Sequence, residues 1–188
     1  MIDVINYNSG ELLDIVTPEG EIIGQARRSE AHGNNKLLHR VVHVFVFDTG
    51  GRLLLQKRSM KKDVAPGKWD TSVGGHVDQG ETIESAVLRE MEEELGITMP
   101  VPEWGSEGPP CSCAAPRFMY KYIHSNNIES ELVHSYSYIH NAEIRFNTEE
   151  IDAVRFWELS EIKETLGKGI LSDNFEHEFA NYLSWSGK

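Results

Sequence analysis

The order of segments predicts an α+β domain, a mixed β-sheet layered between helices, and three observations carry the prediction. Between Leu37 and Phe47 apolar residues alternate over a long run, with Val42, Val44 and Val46 on one face and His43, Phe45 and Phe47 on the other, as a strand requires. From Thr82 to Leu95 an apolar stripe (Ile83, Val87, Met91, Leu95) recurs at helical spacing and stops at Gly96, where a left-handed cap is wanted. The remaining helical patterns lie at the C-terminal end, after the strands, so helices and strands do not alternate as they would in a parallel α/β fold.

The other elements follow in order. Leu12 to Val16 and Glu21 to Ala26 read as short strands around the turn Pro18-Glu19-Gly20, and a polar passage runs from Arg27 to Lys36. Asp48-Thr49-Gly50-Gly51 turns the long strand into Arg52 to Arg58, a hairpin. Pro66-Gly67-Lys68 is a loop and Trp69 to Val73 a short strand before Gly74 and Gly75. Val101 to Pro116 is a Pro- and Gly-rich connection, Arg117 to His124 and Glu131 to Ala142 are paired strands, and Val154 to Leu159 is a final strand. Ser160 is expected to cap a short helix over Glu161 to Leu166, and Asp173 to open a last helix through Trp185. Residues 1–36 are read as an N-terminal β extension packed on a core formed by 37–188, together one structural unit of 188 residues.

A formal charge of −12 excludes a nucleic-acid backbone or an anionic membrane surface as the main partner. The start, MIDVINYNSGELLDIV, lacks a basic n-region and an unbroken apolar stretch, and no run approaches eighteen apolar residues, so a cytoplasmic location is expected. Cys111 and Cys113 are too close in sequence for an ordinary unstrained bridge and have no obvious soft co-ligands, so they are expected to be plain loop residues.

One short helix concentrates acid. At about 100° per residue Glu90, Glu93 and Glu94 share one arc beside the apolar stripe, whereas Glu92 points away. Like charges so placed repel, and more strongly where desolvated, so something positive is needed there. A solvated charged face is the plain alternative. Gly75, five residues, Glu81, seven residues, then Arg89-Glu90-Met91-Glu92-Glu93-Glu94-Leu95-Gly96-Ile97 decide between them, because this frame resembles the Nudix box at every position. Its fixed residues would coincide by chance about once in 10⁷ to 10⁹ registers.

The resemblance implies the Nudix fold, an α/β/α sandwich, and a hydrolase that cleaves a diphosphate linkage in a nucleoside diphosphate derivative or a related small organic diphosphate. It implies that Glu90, Glu93 and Glu94 hold Mg²⁺ or Mn²⁺, hard ions suited to carboxylate oxygens. Arg89 would fix one carboxylate by a forked hydrogen bond, and Glu90, or else Glu131, would serve as general base. Lys57, Arg58 and Lys68 are candidate phosphate contacts, and Trp69 is expected to pack in the core.

A second set of residues narrows the branch. Glu30-Ala31-His32, Leu38-His39, Leu53 to Arg58, Pro66 to Trp69, Gly75-His76 and Glu129-Ser130-Glu131 resemble the layout of isopentenyl-diphosphate isomerase. That likeness implies a second divalent metal held by His32, His39, His76, Glu129 and Glu131, a sensible octahedral set for Mn²⁺, Zn²⁺ or Fe²⁺. His43, His124, His134, His140 and His177 show no such grouping and are expected to be structural. Two departures favour hydrolysis: Gly74 stands where the isomerase has its cysteine acid/base, and the Nudix box, degraded in the isomerase, is whole. The alternatives are an isomerase-type proton shuttle using Tyr120 or Tyr122, and a sensor that binds a diphosphate without turnover. A small-molecule diphosphate is the expected partner, and analogy with the family admits a homodimer.

Overall fold

A computed structural model describes residues 10–62, 64–100, 104 and 115–187, so Cys111 and Cys113 lie outside the described residues. The chain runs β1 (Leu12–Val16), β2 (Ile22–Arg27), α1 (Arg28–Ala31), β3 (Leu38–Phe47), β4 (Leu53–Arg58), β5 (Trp69–Asp70), β6 (Val73–His76) and α2 (Ile83–Leu95). It continues through β7 (Arg117–Ser125), β8 (Ser130–Ile139), β9 (Ile151–Trp157), α3 (Leu159–Thr165) and α4 (Asp173–Ser186). The nine strands of the described residues belong to one mixed sheet. No helix among the described residues is long and apolar enough to cross a membrane.

β3 is the axis of the sheet because both of its faces are apolar. Along one edge it pairs in parallel with β8 from Leu38↔Ser130 to Phe47↔Ile139. Its other edge passes in turn to β1 (Ile15↔His39), β6 (Val41↔His76 to Val44↔Val73) and β4 (Phe47↔Leu53). Val42, Val44 and Val46 pack with Ala86, Val87, Met91 and Leu95 of α2, while Phe45 packs with Phe175, Phe179 and Tyr182 of α4 and Ile162 of α3. Helices therefore cover both faces, in the expected layered arrangement.

Several local expectations are corrected. The β3–β4 hairpin pairs only beside its turn, and β4 then takes β5 and β9 as neighbours. The Ser72 hydroxyl sits where the strands part, donating to Leu54 O at 2.5 Å and accepting from Val46 N at 2.9 Å. That plug is why the expected strand from Trp69 to Val73 divides into β5 and β6, with Gly74 and Gly75 inside β6. Within the polar passage Arg28–Ala31 forms one helical turn, its start held by Arg27 N donating to Glu30 Oε2 at 2.9 Å. α3 begins before Ser160, with Glu158 at the cap position and no side-chain cap bond. α4 has the better cap, Ser172 Oγ accepting from Phe175 N at 3.0 Å.

Candidate active site and metal centre

α2 starts at Thr82, whose side chain accepts from Ser85 N at 3.1 Å, and ends at Gly96 with φ 64°. An added Cβ at Gly96 would stand 2.8 Å from Arg145 O, so both the cap and the close passage of the following chain call for glycine. The helix presents its acids unequally: Glu94 is buried, Glu90 half-buried, Glu93 exposed, and Glu92 faces solvent.

Arg89 organises them. Its guanidinium makes a forked pair to Glu81 (Nε to Oε1 3.0 Å, Nη2 to Oε2 2.8 Å) and donates through Nη1 to Glu90 Oε1 at 2.6 Å and to Glu93 Oε2 at 3.2 Å. Nη2 also donates to His76 O at 2.9 Å, tying the helix to the end of β6. Gly75 lies against Glu90 so closely that a Cβ would stand 2.0 Å from its Cδ and Oε1. Glu94 accepts from Gly74 N at 3.0 Å and from Gln56 Nε2 at 3.1 Å.

Burial sets the charge state of this edge. It pushes Glu90 up to about 7, against the pull of Arg89 and with help from Glu93 and Glu150. Burial and the charge of Glu90 push Glu94 up to about 8. For Glu81 burial is outweighed by Arg89, and its carboxyl is held low. Glu150, paired with Lys62 at 2.5 Å, adds a carboxylate to the neighbourhood that no sequence pattern announced. A buried and a half-buried carboxylate side by side, both raised by burial and the former also by the latter, with Arg89 already committed to Glu81, fit hard divalent cations.

The histidines of the second set do meet. Ring centroids of His32, His39 and His76 lie 4.9 to 5.6 Å apart, and their ligating atoms fall within 4.8 Å of one another. His39, Glu129 and Glu131 form a second such group sharing His39. These two are the groupings of three or more ligand atoms among the described residues; Glu90, Glu93 and Glu94 are not among them, and Arg89 Nη1 bridges Glu90 and Glu93 while Gln56 and Gly74 hold Glu94.

A divalent transition metal fits the histidine cluster on one observation. His39 gives its Nδ1–H to Leu37 O at 3.1 Å, so its Nε2 is a bare lone pair, and that atom is buried with no hydrogen-bond partner. Glu129 Oε2 is likewise buried without a hydrogen bond, 3.3 Å from His32 Nδ1. Burial and the neighbouring Glu129 push Glu131 up to about 7, and Asn174 Nδ2 donates to it at 3.4 Å.

The remaining candidates are more dispersed. Arg58 is engaged with Val64 O at 2.9 Å and Asp70 at 3.3 Å, and Lys68 pairs with exposed Asp173 at 3.4 Å. Lys57 forms no ion pair among the described residues. Trp69 packs edge-on to Trp157, as expected of a core residue. Tyr120 donates to Glu178 O at 3.4 Å, and the Tyr122 hydroxyl is buried without a partner; burial raises both phenols.

His43, expected to be structural, lies outside the histidine cluster and has a buried partner of its own. Its Nδ1 donates to Glu178 Oε2 at 2.8 Å, and Ser135 Oγ donates to Glu178 Oε1 at 2.7 Å. Burial opposes the charge on His43, but Glu178 outweighs it and brings the imidazole up to about 9. Gly74, His43 and Ser135 lie side by side across β6, β3 and β8, and a Cβ at Gly74 would stand 3.3 Å from His43 Nε2. The group facing Gly74 is therefore an imidazole whose charged form the Glu178 carboxylate favours. Glu178 had a sequence signal: it interrupts the apolar stripe of Phe175, Phe179 and Tyr182, an acid where a core residue belongs. His124 and His177 also meet, Nδ1 to Nδ1 at 3.0 Å.

The chain is 41% identical over 104 residues to the Nudix hydrolase SCO1686 of Streptomyces coelicolor, covering 55% of this chain and 57% of that one. It is 44% identical over 89 residues to the Nudix hydrolase all7351 of Nostoc, covering 47% and 53%. The matched stretch thus spans a little over half the length of these curated relatives. It is also 33% identical over 164 residues to the isopentenyl-diphosphate Delta-isomerase of Streptomyces avermitilis, covering 87% of this chain and 79% of that enzyme. Its fold matches DR0079 from Deinococcus radiodurans with a TM-score of 0.74 at 24% identity, over 91% of this chain and 98% of the other. The NUDIX domain model matches residues 37–176, a span holding Gly75, Glu81, Arg89 and the acids of α2, and the chain belongs to the Nudix family.

Proposed function

We propose that the protein is a divalent-metal-dependent hydrolase that cleaves the diphosphate linkage of a nucleoside diphosphate derivative or a related small organic diphosphate. The observation that carries this reading is the Arg89 network, which holds Glu90 and Glu93 from within while Glu94 is held by Gly74 and Gln56. Glu90, Glu93 and Glu94 would hold Mg²⁺ or Mn²⁺, which would supply charge neutralisation and Lewis acidity toward the diphosphate. Arg89 keeps these side chains from rotating away, and preorganisation of this kind carries most of the rate in phosphoryl transfer. Glu90, set beside the other acids and bonded to Arg89, is the first candidate for the group that takes a proton from the attacking water. Glu131 is the weaker choice of base, because its carboxylate already belongs to the group formed with His39 and Glu129. Lys57 is the candidate phosphate contact that remains uncommitted, since Arg58 is held by Asp70.

The test is phosphate release from a panel of diphosphates with Mg²⁺ or Mn²⁺. Glu93→Gln and Glu94→Gln are expected to lower kcat by about 10² or more. Turnover within a few-fold of wild type in both variants refutes the assignment.

A second reading, proton transfer of the isomerase type, has one observation in its favour: the ring of His43, drawn up to about 9 by Glu178, lies directly against Gly74, the position at which the isomerase carries its cysteine acid/base. Tyr120 and Tyr122, raised by burial, are poorer acids for that place. Incubation with isopentenyl diphosphate in D₂O separates the readings, since carbon-bound deuterium appears only under the second.

A further inference from the structure

The three histidines of the cluster are not equally determined. His39 has its tautomer set by the carbonyl of Leu37. His76 and His32 face each other Nε2 to Nε2 at 2.9 Å, a separation at which two bare nitrogens repel and a single shared proton bonds them. The cluster offers three converging lone pairs only when both of these Nε2 atoms are bare, and it closes on itself with an internal N–H···N bond when either carries the proton. For His32 the group at the other nitrogen is Glu129, with Oε2 3.3 Å from Nδ1, which leaves His76 as the second half of the condition. A group at the other nitrogen biases that choice: Glu11 Oε1, 3.2 Å from His76 Nδ1. Glu11 is itself anchored, accepting from Arg28 Nη1 at 3.2 Å through its side chain and from Arg28 N at 2.9 Å through its carbonyl. Paired in this way with the Arg28 guanidinium, the Glu11 carboxylate can only accept. The His76 carbonyl is fixed independently by Arg89, so the backbone end of the ring is held as well.

We propose that Glu11 is the positioning residue of the histidine cluster: it takes the Nδ1–H of His76 and leaves His76 Nε2 bare, turned toward His32 and His39. The proposal rests on the reading of that cluster as a metal centre. A carboxylate behind a ligating imidazole also raises the basicity of the ligand nitrogen. Three imidazole nitrogens with Glu129 and Glu131 suit Mn²⁺, Fe²⁺, Co²⁺ or Zn²⁺ better than Mg²⁺. Without Glu11 the His76 proton moves to Nε2, is given to His32, and the cluster satisfies itself. In this scheme residues 1–36 contribute both a ligand, His32, and the residue that sets the tautomer of another.

The test uses metal-stripped, histidine-¹⁵N-labelled full-length protein, with imidazole tautomers read from long-range ¹H–¹⁵N spectra and Co²⁺ binding read from visible absorption. Wild type is expected to show His76 as the Nδ1–H tautomer and to take up Co²⁺. Glu11→Ala is expected to move His76 to Nε2–H and to weaken Co²⁺ about 10- to 100-fold. Should that truncation unfold the chain, Glu11→Gln carries the test, with a loss of about 3- to 10-fold expected because the amide oxygen still accepts but carries no charge. Glu11→Ala with the His76 tautomer unchanged and Co²⁺ bound within threefold overturns the proposal and leaves the metal centre standing, and unchanged affinity in Glu11→Gln does the same. Wild type that takes up no Co²⁺ overturns both.

Discussion

Gly75→Ala isolates the contribution of one carboxylate's position. The added Cβ would stand 2.0 Å from Glu90 Cδ and Oε1 and 2.4 Å from Oε2, whereas real Cβ contacts essentially never fall below 3.0 Å. The carboxylate must therefore retreat by about 1 Å or more, or β6 must move away from α2. Retreat breaks the 2.6 Å bond from Arg89 Nη1, and the backbone route is resisted by the four-residue pairing of β6 with β3. A misplacement of about 1 Å at a reacting group costs roughly 10²-fold, and overpacking costs about 1 to 3 kcal/mol of stability. The assay is kcat on the best diphosphate of the panel alongside a urea unfolding curve, with the crystal structure of the variant showing Glu90 displaced. A variant that is destabilised by this amount, has Glu90 displaced, and yet turns over at the wild-type rate would show that the placement of Glu90 is irrelevant to catalysis.

Gly96→Ala should cost about 1 to 2 kcal/mol through the left-handed φ alone, with more from the 2.8 Å approach to Arg145 O; thermal melting checks it, and an unchanged Tm refutes the cap argument. The His43–Glu178 pair predicts a pH-dependent stability. Because the folded pKa of His43 lies above its ordinary 6.5 at about 9, its contribution is complete below pH 6.5 and is lost as pH rises through 9. The urea midpoint of wild type should fall across that window by more than that of His43→Asn, and parallel curves would exclude a charged His43.

Much of the site was legible because its signals are local. The spacing of Gly75, Glu81 and Arg89 to Glu94 needs no knowledge of the fold, since one helix carries the acids and one arginine within reach binds Glu81, Glu90 and Glu93. The residues left out come from distant segments: Glu11 behind His76, Glu150 beside Glu94, Glu178 under His43. Each is a single polar residue whose role depends on what packs against it, and neighbours in sequence carry no record of that.

The same division runs through the fold. Alternation on β3, the α2 stripe and the Gly96 cap follow from side-chain period and backbone sterics, which operate within a few residues, and the chain alone determined them. The parallel pairing of β3 with β8, the parting of β3 from β4 around Ser72, and the meeting of His32, His39, His76, Glu129 and Glu131 were decided only in three dimensions. Those features depend on which edges find each other across separations of tens of residues. Burial of both faces of β3 rewards that pairing, and no local propensity encodes it.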